Sequence, residues 1–271
     1  MSLTAQRNLG RAQNGLDTAV NRLSSGLRIN NSWEDPAGLA VSERFRAQID
    51  SMTEAERNAN YDVNLLQTAE GALSVVDEKL VRMRALAVQA SNGALVSTDR
   101  DAINVEFQAL KSEITRIAST TNYNGQYLIA GAFSGSGANG IKFHIGTYNT
   151  QNQDYYYVSF NSMTATALGM GDTVLTTTAS AQAAIDTLDS AIASKDTERT
   201  RLGSYVERLQ STIVNLQISK ESATRSESEI RDADIATEMS NFVRSQILMQ
   251  TGVSMLSQAN MVPQMVAGLV G

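Results

Sequence analysis

The sequence predicts a mainly α protein: a long antiparallel helical coiled-coil rod formed by both chain ends, with a small β-hairpin region at its outer tip. Three observations carry this. Apolar residues recur at alternating steps of three and four through long N-terminal and C-terminal stretches. Only 2 prolines occur in 271 residues, Pro36 and Pro263, so long helices can run without a break. The apolar content of 42% includes only 6% aromatics and is rich in alanine, which suits close helix-to-helix packing better than a thick globular core.

Leu9, Ala12, Leu16, Ala19 and Leu23 form a heptad seam that predicts a helix to about Gly26. Asn30, Asn31, Ser32, Asp35 and Pro36 mark a break. A second helix is expected over 37–91. Within it, Leu66, Ala69, Leu73, Val76, Leu80, Met83, Ala87 and Ala90 keep the spacing without a miss. At ~1.5 Å per residue, roughly 50 helical residues would extend about 75 Å, which fits a rod and not a globule. Ser91-Asn92-Gly93 ends that helix, and Ser97-Thr98-Asp99 announces a third. Its seam is Ile103, Phe107, Leu110, Ile114 and Ile117, and Asn122-Tyr123-Asn124-Gly125 closes it.

The 18 glycines concentrate between Gly125 and Gly171, where turns and strands are expected. Residues 133–140 read as a loop. Residues 141–145 and 155–160 read as two paired strands joined by a turn over 149–154. Helical spacing returns with Ala184, Leu188 and Ala191, then Leu202, Tyr205, Leu209, Thr212, Leu216 and Ser219. Lys195 and Glu198 occupy seam positions between them and weaken the seam locally. The last seam reads Ile235, Met239, Phe242, Gln246, Met249, Val253, Leu256 and Asn260. The terminal helices have no local partner of sufficient size, so each other is the expected partner. They are expected to be poorly ordered alone and to fold on assembly.

Several function classes drop out. The net charge is -6 and the pI about 4.9, and no basic cluster follows a phosphate backbone, so no nucleic-acid partner is expected. With no cysteine there are no disulfides, thiolate zinc sites or cysteine nucleophiles. Residues 1–7 lack the apolar core of an ordinary signal peptide, and no run of about 18 apolar residues exists to insert into a membrane. His144 is the single histidine, which rules out a histidine cluster or triad and leaves it a strand residue.

Other candidate sites have plainer explanations. Glu43 with Glu54 or Glu56, and Asp232 with Asp234, are carboxylate pairs capable in principle of acid–base work. On amphipathic helices they read instead as solvated faces or interhelical ion pairs. Gly135, Gly137 and Gly140 lack the lysine-serine/threonine pair of a phosphate loop and read as a flexible loop. Met249, Met255, Met261 and Met265 could form a promiscuous binding face but read instead as coiled-coil packing. Tyr155 to Tyr157 read as a hairpin with one packed face, without a glycan ligand. No cofactor and no enzyme activity are expected.

The run Leu23-Ser24-Ser25-Gly26-Leu27-Arg28-Ile29-Asn30, followed by Asp35-Pro36-Ala37-Gly38-Leu39-Ala40, resembles the N-terminal signature of bacterial flagellins. The segment from Arg84 to Gly93 resembles the end of that family's long helix, and Thr121-Asn122-Tyr123-Asn124-Gly125 its next boundary motif. Ser228-Glu229-Ile230-Arg231-Asp232-Ala233-Asp234-Ile235-Ala236-Thr237-Glu238-Met239 resembles the C-terminal signature, extended by Gln246-Ile247-Leu248 and Gln258-Ala259-Asn260. Together these cover roughly 1–130 and 180–271. Three features depart from the family pattern. The N-terminus is several residues short, Trp33 and Pro36 replace small or acidic residues, and the ending is Gly268-Leu269-Val270-Gly271.

The resemblance implies a structural subunit that self-assembles into the helical, tubular flagellar filament used for motility. It implies an inner coiled-coil domain of 1–32 plus 229–271 and an outer helical rod domain of 33–130 plus 180–228. A β-hairpin region over 131–179, short as in the shorter flagellins, completes the layout. Polymerisation would rest on Leu9, Leu16, Leu23, Ile235, Met239, Phe242, Met249, Val253 and Leu256. Outer packing would rest on Leu66, Leu73, Val76, Leu80, Leu202, Leu209 and Leu216. The resemblance further implies export by the flagellar type III apparatus to an extracellular flagellum. Its partners would be a chaperone on the C-terminal helix, filament cap and hook-junction proteins, and a vertebrate Toll-like receptor at Arg82, Leu86 and Glu106. Two rival readings are a hook–filament junction adaptor and a helical signalling or scaffold rod.

Overall fold

The structure, a computed structural model, describes residues 2–135 and 139–270, with side chains for all of these except residues 2, 260 and 262–270. Gly137 and the side chains of Asn260 and Met265 lie outside the described residues. In chain order the elements are α1 (Ser2–Ser25), α2 (Pro36–Ala90), α3 (Ser97–Thr120), β1 (Asn122–Tyr123), β2 (Gln126–Tyr127), β3 (Ile141–His144), β4 (Tyr155–Val158), α4 (Thr178–Arg231) and α5 (Ile235–Val270). The expected helices and the 141–145/155–160 strand pair are all present. Two compact units form, one of Met1–Asp50 with Lys220–Gly271 and one of Ser51–Ser219.

In the unit of Ser51–Ser219, the uninterrupted α2 seam becomes the core. Leu66, Ala69, Leu73, Val76, Leu80, Met83, Ala87 and Ala90 are each 0% exposed. Phe107, Ile114 and Ile117 of α3 and Ala184, Leu188, Ala191, Leu202 and Leu209 of α4 join the same apolar cluster. Leu216 is half-buried. Cross-helix pairs show that α2 and α4 run antiparallel here. Arg84 Nε meets Asp189 Oδ1 at 2.6 Å, Lys195 meets Asp77, Arg199 Nε meets Glu70 Oε1 at 2.9 Å, and Gln217 Nε2 meets Glu56 Oε1 at 2.8 Å.

The interrupted stretch of the α4 seam turns out to be a paired polar layer. Lys195 is 2% exposed and Glu198 1%. Burial pulls the Lys195 ammonium down, but its hydrogen bonds to Asp196 and Asp77 outweigh that and hold the group above its ordinary value. Glu198 accepts from the Asn161 amide nitrogen at 3.2 Å and from Asn161 Nδ2 at 2.9 Å, and from Arg201 Nη2 at 2.6 Å. The same guanidinium donates to the Ser159 carbonyl at 2.6 Å. A buried carboxylate thus clamps the chain that leaves β4. The sequence pattern marked these two residues as a weak point; satisfied hydrogen bonding makes them a specific one.

The segment after β4 is not a plain loop. Phe160, Met163, Ala165, Leu168, Met170 and Leu175 are buried against the helices. Backbone bonds from Phe160 to Phe133 and from Met163 to Ile129 stitch it down. A second small hairpin, β1–β2, was not expected. Its two-residue turn is Asn124 with φ 49° and Gly125 with φ 80°, the left-handed pair that a tight hairpin needs.

Helix ends follow local chemistry. Pro36 opens α2, where its missing amide costs nothing, and Asp35 Oδ1 accepts the Gly38 amide at 2.8 Å. Asp234 caps α5, taking the Ala236 amide at 2.9 Å and the Thr237 hydroxyl at 2.8 Å. The Thr237 hydroxyl and the Ala236 and Thr237 amides hold the Asp234 carboxyl below its usual range.

Two outcomes are expected. Leu73→Ala removes a fully buried side chain from the core and lowers unfolding free energy by about 3 kcal/mol in a denaturant titration. Asp234→Ala frays the start of α5 at neutral pH. Because the folded pKa is depressed, the wild-type stabilisation is present above the usual carboxylate range and lost as pH falls through the lowered value. Circular-dichroism melts of the two chains should therefore differ at about pH 7 and converge toward about pH 2.

Candidate assembly surface

The unit of Met1–Asp50 and Lys220–Gly271 is built on α1 paired with α5. Arg22 Nη1 binds Glu238 Oε1 at 2.9 Å, Gly15 lies by Ser245, and Leu9 lies by Gly252. Rising numbers on one helix meet falling numbers on the other, so the two ends of the chain run antiparallel. The predicted α1 seam faces the partner: Ala12 and Ala19 are buried, and Leu9, Leu16 and Leu23 are half-buried.

On α5 the packed face is Glu238, Phe242, Ser245, Met249, Gly252, Leu256 and Ala259, each buried or half-buried. Phe242, Met249 and Leu256 were in the predicted seam. Ile235, Met239 and Val253 are not part of this face; they are 50%, 46% and 55% exposed. The physical reason is the size of the contact residues. A Cβ on Gly252 would stand 3.2 Å from Leu9 Cδ1, so the seam draws the backbones together over small side chains. Apolar bulk alone did not reveal that choice, whereas a search for small residues at heptad spacing would have found Ser245, Gly252 and Ala259.

Consequently α5 is apolar on a second side. Met239, Val243, Ile247 and Leu248 line a shallow groove with Ser240 and Arg244, and each of the four is 45% exposed or more. A helix apolar on both sides is normally buried on both.

The segments between the helices lock the pair. Leu27 and Asp232 form an antiparallel bridge, with Arg28 N donating to Arg231 O at 2.6 Å and Ala233 N to Gly26 O at 2.9 Å. Arg28 Nη2 donates to the Ile230 carbonyl at 2.5 Å. Residues 23–30 and 228–239, far apart in sequence and each carrying its own motif, therefore meet as one structure. Glu43 bonds Arg231 at 2.7 Å and Arg46 at 3.0 Å. The Arg231 hydrogen bond is the main reason its carboxyl lies below the usual range.

The other candidates have similarly local roles. Glu54 pairs with Arg57, Glu56 accepts from Gln217, and Ser228 donates to Asp232 at 2.5 Å. His144 ends β3 with its ring stacked on Tyr155. Arg82 and Glu106 are an exposed ion pair at 2.7 Å, while Leu86 beside them is 2% exposed. Among the described residues no group of three or more His, Cys, Asp or Glu side chains could hold a metal, and no helix is long and apolar enough to cross a membrane.

Comparison with known proteins agrees with this geometry. Residues 1–134 match the bacterial flagellin N-terminal helical region and residues 185–270 the bacterial flagellin C-terminal helical region. Flagellin FlaB1 of Treponema pallidum is 38% identical, with 99% of this chain and 97% of that protein aligned. A flagellin of Halalkalibacterium halodurans is 41% identical over the same shares. The flagellar filament 33 kDa core protein of Treponema phagedenis is 38% identical, again over 99% and 97%. The crystal structure of Bacillus cereus flagellin superposes with a TM-score of 0.50 at 31% identity, covering 59% of this chain and 88% of that one. A putative flagellar hook-associated protein from Vibrio parahaemolyticus, at 15% identity and a TM-score of 0.61, shares the fold. The two matched regions enclose the stretches that the α1–α5 pairing joins, and the chain belongs to the bacterial flagellin family.

Proposed function

We propose that this chain is a structural subunit of the flagellar filament that polymerises through its paired ends, with the second apolar side of α5 covered by neighbouring copies. The family is a structural one and forms filament homopolymers, so the chain is not an enzyme and its place is the extracellular flagellum. The observation that supports the assembly route is the exposed row of Met239, Val243, Ile247 and Leu248 on a helix whose other side is already packed. A contact of one surface patch with a different patch on the next copy does not close on itself and yields an open helical polymer. The three-helix unit, with Leu66, Leu73, Val76, Leu80, Leu202, Leu209 and Leu216 holding it rigid, would supply further contacts between copies.

The finer partners follow from the same surface. An export chaperone would cover the apolar row of α5 before assembly, and the cap and hook-junction proteins would meet it at the two ends of the polymer. Export by the flagellar type III apparatus belongs to this reading. Recognition by a Toll-like receptor at Arg82 and Glu106 is compatible with their exposure, whereas Leu86 contributes only by backing α2 from within.

Two kinds of variant separate seam from surface. Leu16→Asp or Phe242→Asp places a charge in the α1–α5 seam, and both the pairing and polymerisation are expected to be lost. Ile247→Asp leaves the seam intact, so the monomer keeps its helical circular-dichroism spectrum while filaments fail to grow in sedimentation and electron microscopy. Normal filaments from Ile247→Asp would reject the covered-face reading.

A further inference from the structure

Pairing along β3–β4 puts Ile141, Phe143, Tyr156 and Val158 on one face and Lys142, His144, Tyr155 and Tyr157 on the other. The first face sits on the helices. Phe143 and Val158 are fully buried, and the Tyr156 ring stacks on Tyr205 of α4 at 6.1 Å. The Arg208 guanidinium lies 4.2 Å from the centre of the same ring. On the α2 side, Asn58 Nδ2 donates to the His144 carbonyl at 3.2 Å, one helical turn before Asp62.

Two polar atoms at this seat lack a hydrogen-bond partner within the chain: Asp62 Oδ2 and Tyr156 Oη. Tyr156 is 5% exposed. An ionised carboxylate with a buried, unpaired oxygen is costly, and a neutral acid much less so. The titratable groups gathered here are Asp62 from α2, Tyr156 from β4, and Tyr205 and Arg208 from α4. Lys142 and His144 belong to the opposite face of the hairpin. Arg208 is spent on the Tyr156 ring, and no described ion pair joins it to Asp62. Burial accordingly pushes the Asp62 carboxyl up to about 7. It also pushes the Tyr156 phenol up to about 12, with Arg208 pulling the other way.

We propose that the seat of the β3–β4 hairpin on α2 and α4 is a proton-controlled clasp with Asp62 as its titrating group. The hairpin is held closed while Asp62 keeps its proton and loosens as the carboxylate forms. Because the folded pKa is raised, the stabilisation is complete below the ordinary carboxylate range and is lost as pH rises through about 7. The apolar α2 seam carries no such group, so the response stays local to the hairpin.

Hydrogen exchange of the β3 and β4 amides in the full chain, corrected for intrinsic rate, tests the clasp between about pH 5.5 and pH 8.5. In the wild type the opening equilibrium is expected to rise about tenfold or more across that range. In the isosteric Asp62→Asn variant the profile should be flat. Tyr156→Phe, which keeps the ring stack and removes the unpartnered hydroxyl, should retain the pH dependence. An unchanged pH profile in Asp62→Asn, a flat one in Tyr156→Phe, or an NMR titration that places Asp62 in the ordinary carboxylate range would each overturn the proposal.

Discussion

The antiparallel contact of α1 with α5 joins residues as far apart in sequence as Arg22 and Glu238, which are 216 positions apart. Bringing such distant segments together carries an entropic cost, although that cost grows slowly with the length of chain between them. What repays it is a narrow strip of Leu9, Ala12, Leu16, Ala19 and Leu23 against Phe242, Met249 and Leu256, aided by the backbone bridge at Leu27 and Asp232. Small residues at Ser245, Gly252 and Ala259 limit the area that the strip buries. The pairing is therefore specific in register yet modest in strength, and Met239, Val243, Ile247 and Leu248 of α5 stay exposed.

The other unit is organised differently. Its α2 seam is fully buried and almost wholly aliphatic, and the chain after β4 folds back to cover the helices. Lys195 and Glu198 enter this core with partners. Glu198 accepts three hydrogen bonds from Asn161 and Arg201 and fixes the path of the returning chain, while Asp77 and Asp196 answer Lys195. Asp62 and Tyr156 each keep a buried oxygen without a partner, and for Asp62 burial pushes the carboxyl up to about 7.

The helices were legible because heptad periodicity is a local signal and this chain has little to interrupt it. The β3–β4 pair was legible from its aromatic and β-branched run. The β1–β2 hairpin was missed although Asn124-Gly125 is a strong turn signal, because two-residue strands have no periodicity to read. The α1-facing side of α5 leaves out Ile235, Met239 and Val253 because that helix is apolar on two sides, and sequence alone does not say which side meets α1. The partners of Lys195 and Glu198 were invisible for a related reason: Asp77 and Asn161 reach them only through the fold.

That polar layer also settles a degeneracy. A seam of repeating aliphatic heptads is satisfied almost equally by pairings displaced by one heptad. The charges are not. Sliding α4 along α2 by seven residues in one direction brings Lys195, native partner of Asp77, against Arg84. The opposite slide brings Asp189, native partner of Arg84, against Asp77. Either displacement sets like charges face to face, and the first does so at Lys195, a side chain with almost no access to water. The layer that costs the core some apolar area leaves the two helices with a single way to align.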